Sequence, residues 1–562
     1  MQRLGLPFLA ASLVLAGCSE PQISEKQIAG NPQATPPSTA PTPKPTENSP
    51  PLSVPPPPPE SVVETEVTIT EQEPKSSNES AFDSNQWNSA VGLGGGAGAG
   101  GRFGGRRGTQ LSERYAAIEQ SGYLLTSASP MSTFAADVDT ASFSNVLRQL
   151  KAGDNPITDS VRLEEFINAM RYELPQPKAR QSFAVETEVT ACPWNDAHEL
   201  VRIAVATKEI ETDKVPPCNL VFLVDVSGSM SYANKLPLLK KAFGLLIDQL
   251  RPQDRVSIVT YAAGVTVPIE GARGDEKLRL QAALQQLKSS GGTNGAGAIQ
   301  EAYDLAVKHR VPGVNRVVLA TDGDFNIGIS SADELEAFIT KKKELDVFLS
   351  VLGFGRGNLK DDRLERLANR GNGVYSYIAD LATARRVLIE GFGATMMTVA
   401  KDVKLQTEWN PKLVTSFRLL GYENRALATR DFKDDKKDGG EVGAGHSVTA
   451  LYEIERKADA AAGSSEPLAT LRIRYKPPEG DKSREVSESI AGTVSAELSA
   501  NGQVAATAAA LAMHLRKDKH RGTITQASLF AMSEKLEAKR HPELAAMFAE
   551  LHRGATATDS ER

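Results

Sequence analysis

The chain has 562 residues, 64 Lys and Arg against 70 Asp and Glu, a formal net charge of -6 and a pI near 5.8. Gripping nucleic acid needs a basic face, so this balance excludes nucleic acid as an expected partner. Beyond a low-complexity N-terminal part, about 450 residues remain, enough for two or three folded domains.

Residues 1–17 carry Arg3 and then the apolar core "LGLPFLAASLVLAG". It is too short to cross a bilayer and reads as a secretion signal. The core closes in "LAGC", small residues leading into Cys18. This stretch resembles the bacterial lipobox, which implies that the Cys18 thiol receives a diacylglycerol and that the signal is cleaved before it. Several acyl chains on one residue anchor stably, since each buried CH₂ contributes about 0.8 kcal/mol and one chain alone is marginal. Ser19 stands where an aspartate holds such proteins in the inner membrane of Gram-negative bacteria. The resemblance therefore implies a cell-envelope protein on the outer membrane, facing the periplasm.

Residues 18–108 contain "PPSTAPTPKPTENSPPLSVPPPPPE" and "GLGGGAGAGGRFGGRRG", with few large apolar side chains. Such a composition cannot bury enough surface to offset ordering, so it predicts a tether, with Arg102, Arg106 and Arg107 solvated along it ahead of a contact with an anionic surface. A coil of about 90 residues spans roughly 50 Å on average, which would stand the folded part off the membrane.

Residues 109–215 predict an N-terminal α+β segment. "SVRLEEFINAMRYEL" has helical spacing, while "QSFAVETEVTACPW" and "ELVRIAVATKEI" alternate as strands. In "DVDTA", Asp137 to Ala141, the residue types fall short of a haloacid-dehalogenase phosphatase pair, and Asp139 or Thr140 is the expected cap of the following helix.

Residues 216–400 have the clearest organisation. The runs "NLVFLVD", "RVSIVTYA", "RVVLATD", "VFLSVLGFG" and "GVYSYI" are rich in Val, Ile and Leu and alternate with amphipathic stretches. That pattern predicts a doubly wound, mostly parallel α/β sheet. "KLPLLKKAFGLLIDQL" places Leu236, Leu239, Phe243, Leu246 and Leu250 on one helix face, with Pro237 in the first turn. "TYAAGVTVPI" predicts a tight reversal into one antiparallel edge strand, and Ser331 with Glu334 fits a capping box.

In an open sheet of this kind, ligands sit beyond the carboxyl ends of the strands. Asp225, Ser227 and Ser229 follow one predicted strand, Thr293 follows a glycine-rich turn, and Asp322 ends another strand. "DVSGSM", the lone threonine and "TDG" resemble the metal-ion-dependent adhesion site of von Willebrand factor type A domains. All five motif positions are present in order. The resemblance implies that Ser227, Ser229 and Thr293 ligate Mg²⁺ or Mn²⁺ directly while Asp225 and Asp322 orient its waters. Hydroxyls and carboxylates are hard oxygen donors suited to such an ion. With few carboxylates on the metal, a vacant position would favour an Asp or Glu carboxylate from a protein partner. More widely, "STFAADVDTASFSNVLRQL", "CPWN", "LPLLKKAF", "LATDGDFNIGISS" and "LGYENRAL" resemble a bacterial family of type A lipoproteins with a characteristic N-terminal segment and a C-terminal domain of unknown function.

Residues 401–500 predict a β-rich unit through "KDVKLQTEWN", "SFRLLGYEN", "HSVTALYEIE" and "ATLRIRYKPP", and residues 501–562 a helical segment. Strands before and after the type A region share a pattern, which suggests one sandwich-like module into which that region is inserted. "GHSVT" lacks the second glycine of a hydrolase elbow, and "DDKKDGGE" puts Lys436 at a calcium-ligand position. The seven histidines are scattered. No catalytic constellation emerges, so the expectation is a non-enzymatic binding protein, ahead of a metal-independent scaffold and of a metal-assisted hydrolase. Cys192 and Cys218 are either a disulfide or two buried thiols; a periplasmic setting and the even count suit the bridge.

Overall fold

The computed structural model describes residues 113–210, 214–293, 297–323, 337–339, 341–342, 345–392, 397–458, 466–478, 480, 482–537 and 540–560. All fall within one compact unit, Arg102–Arg562. The signal, Cys18, the tether with its arginines, and Ser331 with Glu334 lie outside the described residues.

The chain enters through β1 (Leu124–Leu125), β2 (Met131–Ala135), α1 (Ala141–Lys151), α2 (Leu163–Asn168), β3 (Phe183–Ala191) and β4 (Glu199–Thr207). The helix expected over "SVRLEEFINAMRYEL" is shorter than the stretch and ends at Asn168, whose side chain ties three other segments together. Asn168 Nδ2 donates to the Asp137 carbonyl and to Tyr422 Oη, both at 3.0 Å, and its Oδ1 accepts the Thr449 N–H at 2.9 Å. Helix α1 starts where the sequence placed it, yet neither expected cap forms: Thr140 makes no capping hydrogen bond. The Asp139 carboxylate instead accepts the Tyr375 N–H at 2.8 Å and pairs with Arg425 at 3.1 Å.

Next come β5 (Cys218–Asp225), α3 (Leu236–Gln249), β6 (Arg255–Tyr261), β7 (Val265–Arg273), α4 (Lys277–Gln286), α5 (Ala298–Lys308), β8 (Val314–Thr321), β9 (Phe348–Phe354), α6 (Asp361–Arg370), β10 (Tyr375–Ile378) and α7 (Leu381–Arg385). They build a six-stranded sheet of order β10-β9-β8-β5-β6-β7. Its strands are parallel except β7, which turns back on β6 with Tyr261 opposite Val265. Every residue of β5 is buried, because the sheet is covered on both faces. Leu220, Phe222 and Val224 enter one apolar core with Leu239, Phe243 and Leu246 of α3. Val221 and Leu223 enter the other with Ala302 and Tyr303 of α5 and Leu364 of α6. That two-sided burial is why the strands read as continuous apolar runs.

The chain then continues through β11 (Thr398–Trp409), β12 (Val414–Leu420), β13 (Gly440–Gly443), β14 (Ser447–Arg456), β15 (Ala469–Lys476), β16 (Arg484–Ile490), α8 (Ala500–Arg516), α9 (Gln526–Glu534) and α10 (Pro542–Ser560). One sheet has the order β1-β12-β14-β4-β3; the other has β13-β11-β15-β16, with β2 also paired to β11. Strands on either side of the type A sheet in sequence thus lie side by side: Val201 of β4 faces Tyr452 of β14, and Phe134 of β2 faces Leu405 of β11. The two sheets share a core that includes Phe134, Ile203, Trp409, Phe417, Tyr452 and Ile473. "GHSVT" leads into strand β14.

The helical ending is part of the same architecture. Almost all of α8 from Val504 to Met513 is buried, mostly as alanine, which lets neighbours approach from every side. It shares a core with Phe143 of α1, Phe166 and Ile167 of α2, and Met547 of α10. Cys192 lies in this helical core and Cys218 in a core of the type A sheet, and both are free, buried thiols. The bridge is therefore not made.

Candidate metal site on the type A rim

Asp225 is the last residue of β5 and is fully buried. Its Oδ1 accepts the Ser227 N–H at 2.9 Å, and its Oδ2 accepts the Thr321 and Tyr261 hydroxyls at 3.1 and 3.2 Å. Burial pushes its carboxyl up to about 6, against the lowering effect of the Ser227 hydrogen bonds. The carboxylate is therefore fixed from three directions. It lies beneath the loop instead of on its solvent-facing surface.

The loop after β5 carries Ser227, buried, and Ser229, partly exposed, with their hydroxyl oxygens 3.0 Å apart. A second loop is pinned beside it: Gly228 N–H donates to Gly291 O at 3.0 Å and Ser290 N–H to Val226 O at 2.9 Å. Thr293, partly exposed, stands two residues past Gly291. Asp322 follows β8 and is fully buried. Lys235 Nζ donates to Asp322 Oδ2 at 2.8 Å and to Asn358 Oδ1 at 2.9 Å. Burial pushes the Asp322 carboxyl up, but hydrogen bonds from Lys235 and Ser229 and the Lys235 charge outweigh it and hold the group below the usual range.

All five motif residues thus lie on loops or strand ends at the carboxyl edge of the parallel strands of one mostly parallel sheet, where such sheets bind ligands. Three hydroxyls and two carboxylates, with no thiol or imidazole among them, suit a hard divalent cation. The sequence did not point to Lys235, Asn358, Tyr261 or Thr321. The one local signal was the "GFG" turn at Gly353 to Gly355, since Gly355 has a φ of 82° and an added Cβ would lie 2.3 Å from Lys235 Cε.

The rim is braced from the flanking module. Gly323, with a φ of 106°, packs so close to the loop before α6 that a Cβ would meet Lys360 N at 2.6 Å. That loop is gripped by the start of the described chain: Gly357 N–H donates to Glu113 at 2.8 Å, Arg114 N–H to Leu359 O at 2.9 Å, and Asp361 N–H to Arg114 O at 3.1 Å. Helix α6 is held in turn by buried Arg162, which pairs with Asp361 and, at 3.0 Å, with Glu365. Arg425 reaches Asp137 and Asp139 at 3.1 Å each and Asn369 Oδ1 at 2.9 Å. This accounts for "DVDTA": its two aspartates are the buried counterions of an arginine far along the chain.

Fold and site together define a von Willebrand factor type A protein, and comparison with known families agrees. Residues 219–388 match the von Willebrand factor type A domain, residues 109–202 a model described as von Willebrand factor, and residues 394–556 the C-terminal region of uncharacterized protein YfbK. The chain is 37% identical over 407 residues to YfbK of Escherichia coli (strain K12), covering 68% of this chain and 71% of that protein. It belongs to the YfbK family. Among solved structures, a von Willebrand factor type A protein from Catenulispora acidiphila is similar at 17% identity and TM-score 0.37, over 61% of this chain and 80% of that one. Proximal thread matrix protein 1 of mussel byssus, with a zinc-occupied adhesion-site motif, is similar at 20% identity and TM-score 0.27, over 33% of this chain and 46% of that one. Type A domains commonly mediate protein–protein interaction or adhesion and often hold a metal at this motif, and none of the three matching models describes a catalytic family.

Proposed function

We propose that this chain is a non-enzymatic envelope protein that binds a protein partner through a Mg²⁺- or Mn²⁺-loaded type A site. The observation that carries the reading is the joining of the motif loops: Ser227 and Ser229 hydroxyls lie 3.0 Å apart on the loop that follows a fully buried Asp225, with Asp322 directly after the neighbouring strand β8. Ser227, Ser229 and Thr293 would hold the ion, and Asp225 and Asp322 would hold its waters. When bound, the ion supplies a Lewis-acidic position for a carboxylate from a partner's Asp or Glu. The chain's own part is to fix the hydroxyls and aspartates so that little reorganisation accompanies binding. A lipid at Cys18 would place this site at the end of the tether on the outer membrane, facing the periplasm.

Ser229→Ala tests the site with little risk to the fold, because Ser229 is partly exposed while Asp225 supports two buried hydroxyls. Calorimetric titration of the full chain with Mn²⁺ is expected to show affinity falling by about tenfold or more, at least the loss that follows when a group supporting a metal site is removed. Equal Mn²⁺ binding by Ser229→Ala and the unmodified chain refutes the metal site. Equal partner crosslinking in intact cells by the two, with metal binding lost in the variant, moves the function to a metal-independent scaffold. Cys18→Ser is expected to shift the protein out of the detergent phase, and unchanged partitioning refutes the anchor.

A further inference from the structure

Lys235 is a lysine placed where an exposed helix-start residue would be ordinary, yet it is 3% exposed. Long charged side chains are almost never fully buried unless paired, and here both partners belong to the rim. Its ammonium lies 2.8 Å from Asp322 Oδ2 and 2.9 Å from Asn358 Oδ1. The stem reaches them by passing Gly355, where an added Cβ would lie 2.3 Å from Cε and 2.4 Å from Cγ. The exposed ring of Tyr232 lies over the ammonium, 5.6 Å from its centroid. The fold has therefore made a dedicated path that delivers one positive charge to one of the two aspartates of the metal motif.

We propose that Lys235 is a built-in cation of the site that sets the net charge of the metal-loaded rim, and with it the preference for an anionic partner. The inference rests on the metal-site reading given above. The ligating hydroxyls are neutral. The formal charges of Asp225 and Asp322, a divalent ion and Lys235 leave one positive charge over; without the lysine they cancel. Two consequences follow from Coulomb's law at short range in a partly desolvated site. Lys235 repels the incoming metal ion, so the site binds it more weakly than a bare pair of aspartates would. Once the ion is bound, the surplus charge draws a carboxylate to the open position. A lysine also supplies its charge as a compact ammonium on a flexible stem, which fits beneath the rim where a guanidinium fork would need more room.

The test uses the full chain and Lys235→Met, which keeps the stem and removes the charge. Calorimetric titration with Mn²⁺ is expected to show about tenfold or tighter binding by Lys235→Met. Acetate, followed by the loss of Mn²⁺-bound water in proton relaxation, is expected to bind the loaded variant at least about threefold more weakly than the loaded unmodified chain. Weaker or unchanged Mn²⁺ binding in the variant, when the unmodified chain binds Mn²⁺, overturns the role of Lys235 and leaves the metal site standing. No Mn²⁺ binding by the unmodified chain overturns both. Should Lys235→Met fail to fold by circular dichroism, a crystal structure of the unmodified chain with Mn²⁺ decides the matter. Nζ still hydrogen-bonded to Asp322 supports the role, and a lysine swung away from the rim overturns it.

Discussion

Arg425→Met would remove the cation from the buried cluster that joins the flanking module to the type A sheet. Arg425 is 10% exposed and donates to Asp137 and Asp139 at 3.1 Å each and to Asn369 at 2.9 Å, with Glu365 at 3.9 Å. Methionine keeps most of the volume. It leaves Asp137 and Asp139 buried without that countercharge, while Glu365 retains Arg162 at 3.0 Å. Breaking a buried pair from one side costs about 3–5 kcal/mol, because an uncompensated charge stays behind. The pH dependence has a definite sign. Burial, followed by the Asp137 charge, already raises the Asp139 carboxyl well above its ordinary value, and Arg425 opposes that rise. Without the arginine the folded-state value rises further above the unfolded one, so the folded variant takes up protons and recovers stability as pH falls. Urea unfolding followed by tryptophan fluorescence at pH 7.5 and 5.5 should show the full deficit at the higher pH and a smaller one at the lower. Hydrogen exchange should rise in α6 and β10, since Asp139 also accepts the Tyr375 N–H. A deficit under about 1 kcal/mol at pH 7.5, or one that grows toward acid, would refute the reasoning.

Glu164 is fully buried, and burial followed by the Glu423 charge pushes its carboxyl up to about 8, against a hydrogen bond from the Tyr422 N–H at 3.0 Å. A raised folded-state value means its favourable contribution is complete below the unfolded value and is lost as pH climbs toward 8. Glu164→Gln cannot ionise, so its stability relative to the unmodified chain should rise with pH by up to about 1.4 kcal/mol per unit. Urea midpoints at three pH values between acid and mildly basic would check this, and a pH-independent difference would contradict it. Burial also pushes the Cys192 and Cys218 thiols up to about 12. Neither should react with iodoacetamide in the native protein, and both should react after unfolding without reductant; protection of the pair in the unfolded chain would show a bridge.

What could be read from the sequence follows from how far apart the cooperating residues lie. The five parallel strands and α3 were legible because each is a continuous local pattern. The apolar runs of β5, β6, β8, β9 and β10 reflect burial on both faces, and Leu236, Leu239, Phe243 and Leu246 are buried at helical spacing. Asp225, Ser227 and Ser229 were legible as one contiguous motif. Tertiary demands decided the rest. Thr140 and Asp139 look like helix caps until Arg425 and Tyr375 claim the aspartate. Strand β16, "REVSESI", has no alternation to betray it, because it is an outer strand exposed along most of its length. Lys235 is invisible as a buried cation because Gly355 and Asn358, which receive it, come more than a hundred residues later.

The same distances bear on how the type A fold works in this chain. The loop behind Asp322 is held from outside the inserted region. Its Gly357 N–H is bound by Glu113, whose other carboxylate oxygen is held by Arg148 at 2.9 Å, and its Leu359 and Asp361 backbone groups bond to Arg114. The helix that follows carries Asp361 and Glu365 into a buried cluster completed by Arg162 before the insertion and Arg425 after it. Excising residues 216–400 would remove both arginines and leave those carboxylates without their cations, a cost that falls on the element carrying Asn358, the partner of Lys235. The charge and geometry at Asp322 are therefore properties of the whole folded chain. Metal binding is best measured on it, since a fragment that bound Mn²⁺ differently would report the loss of this support as much as the intrinsic chemistry of the motif.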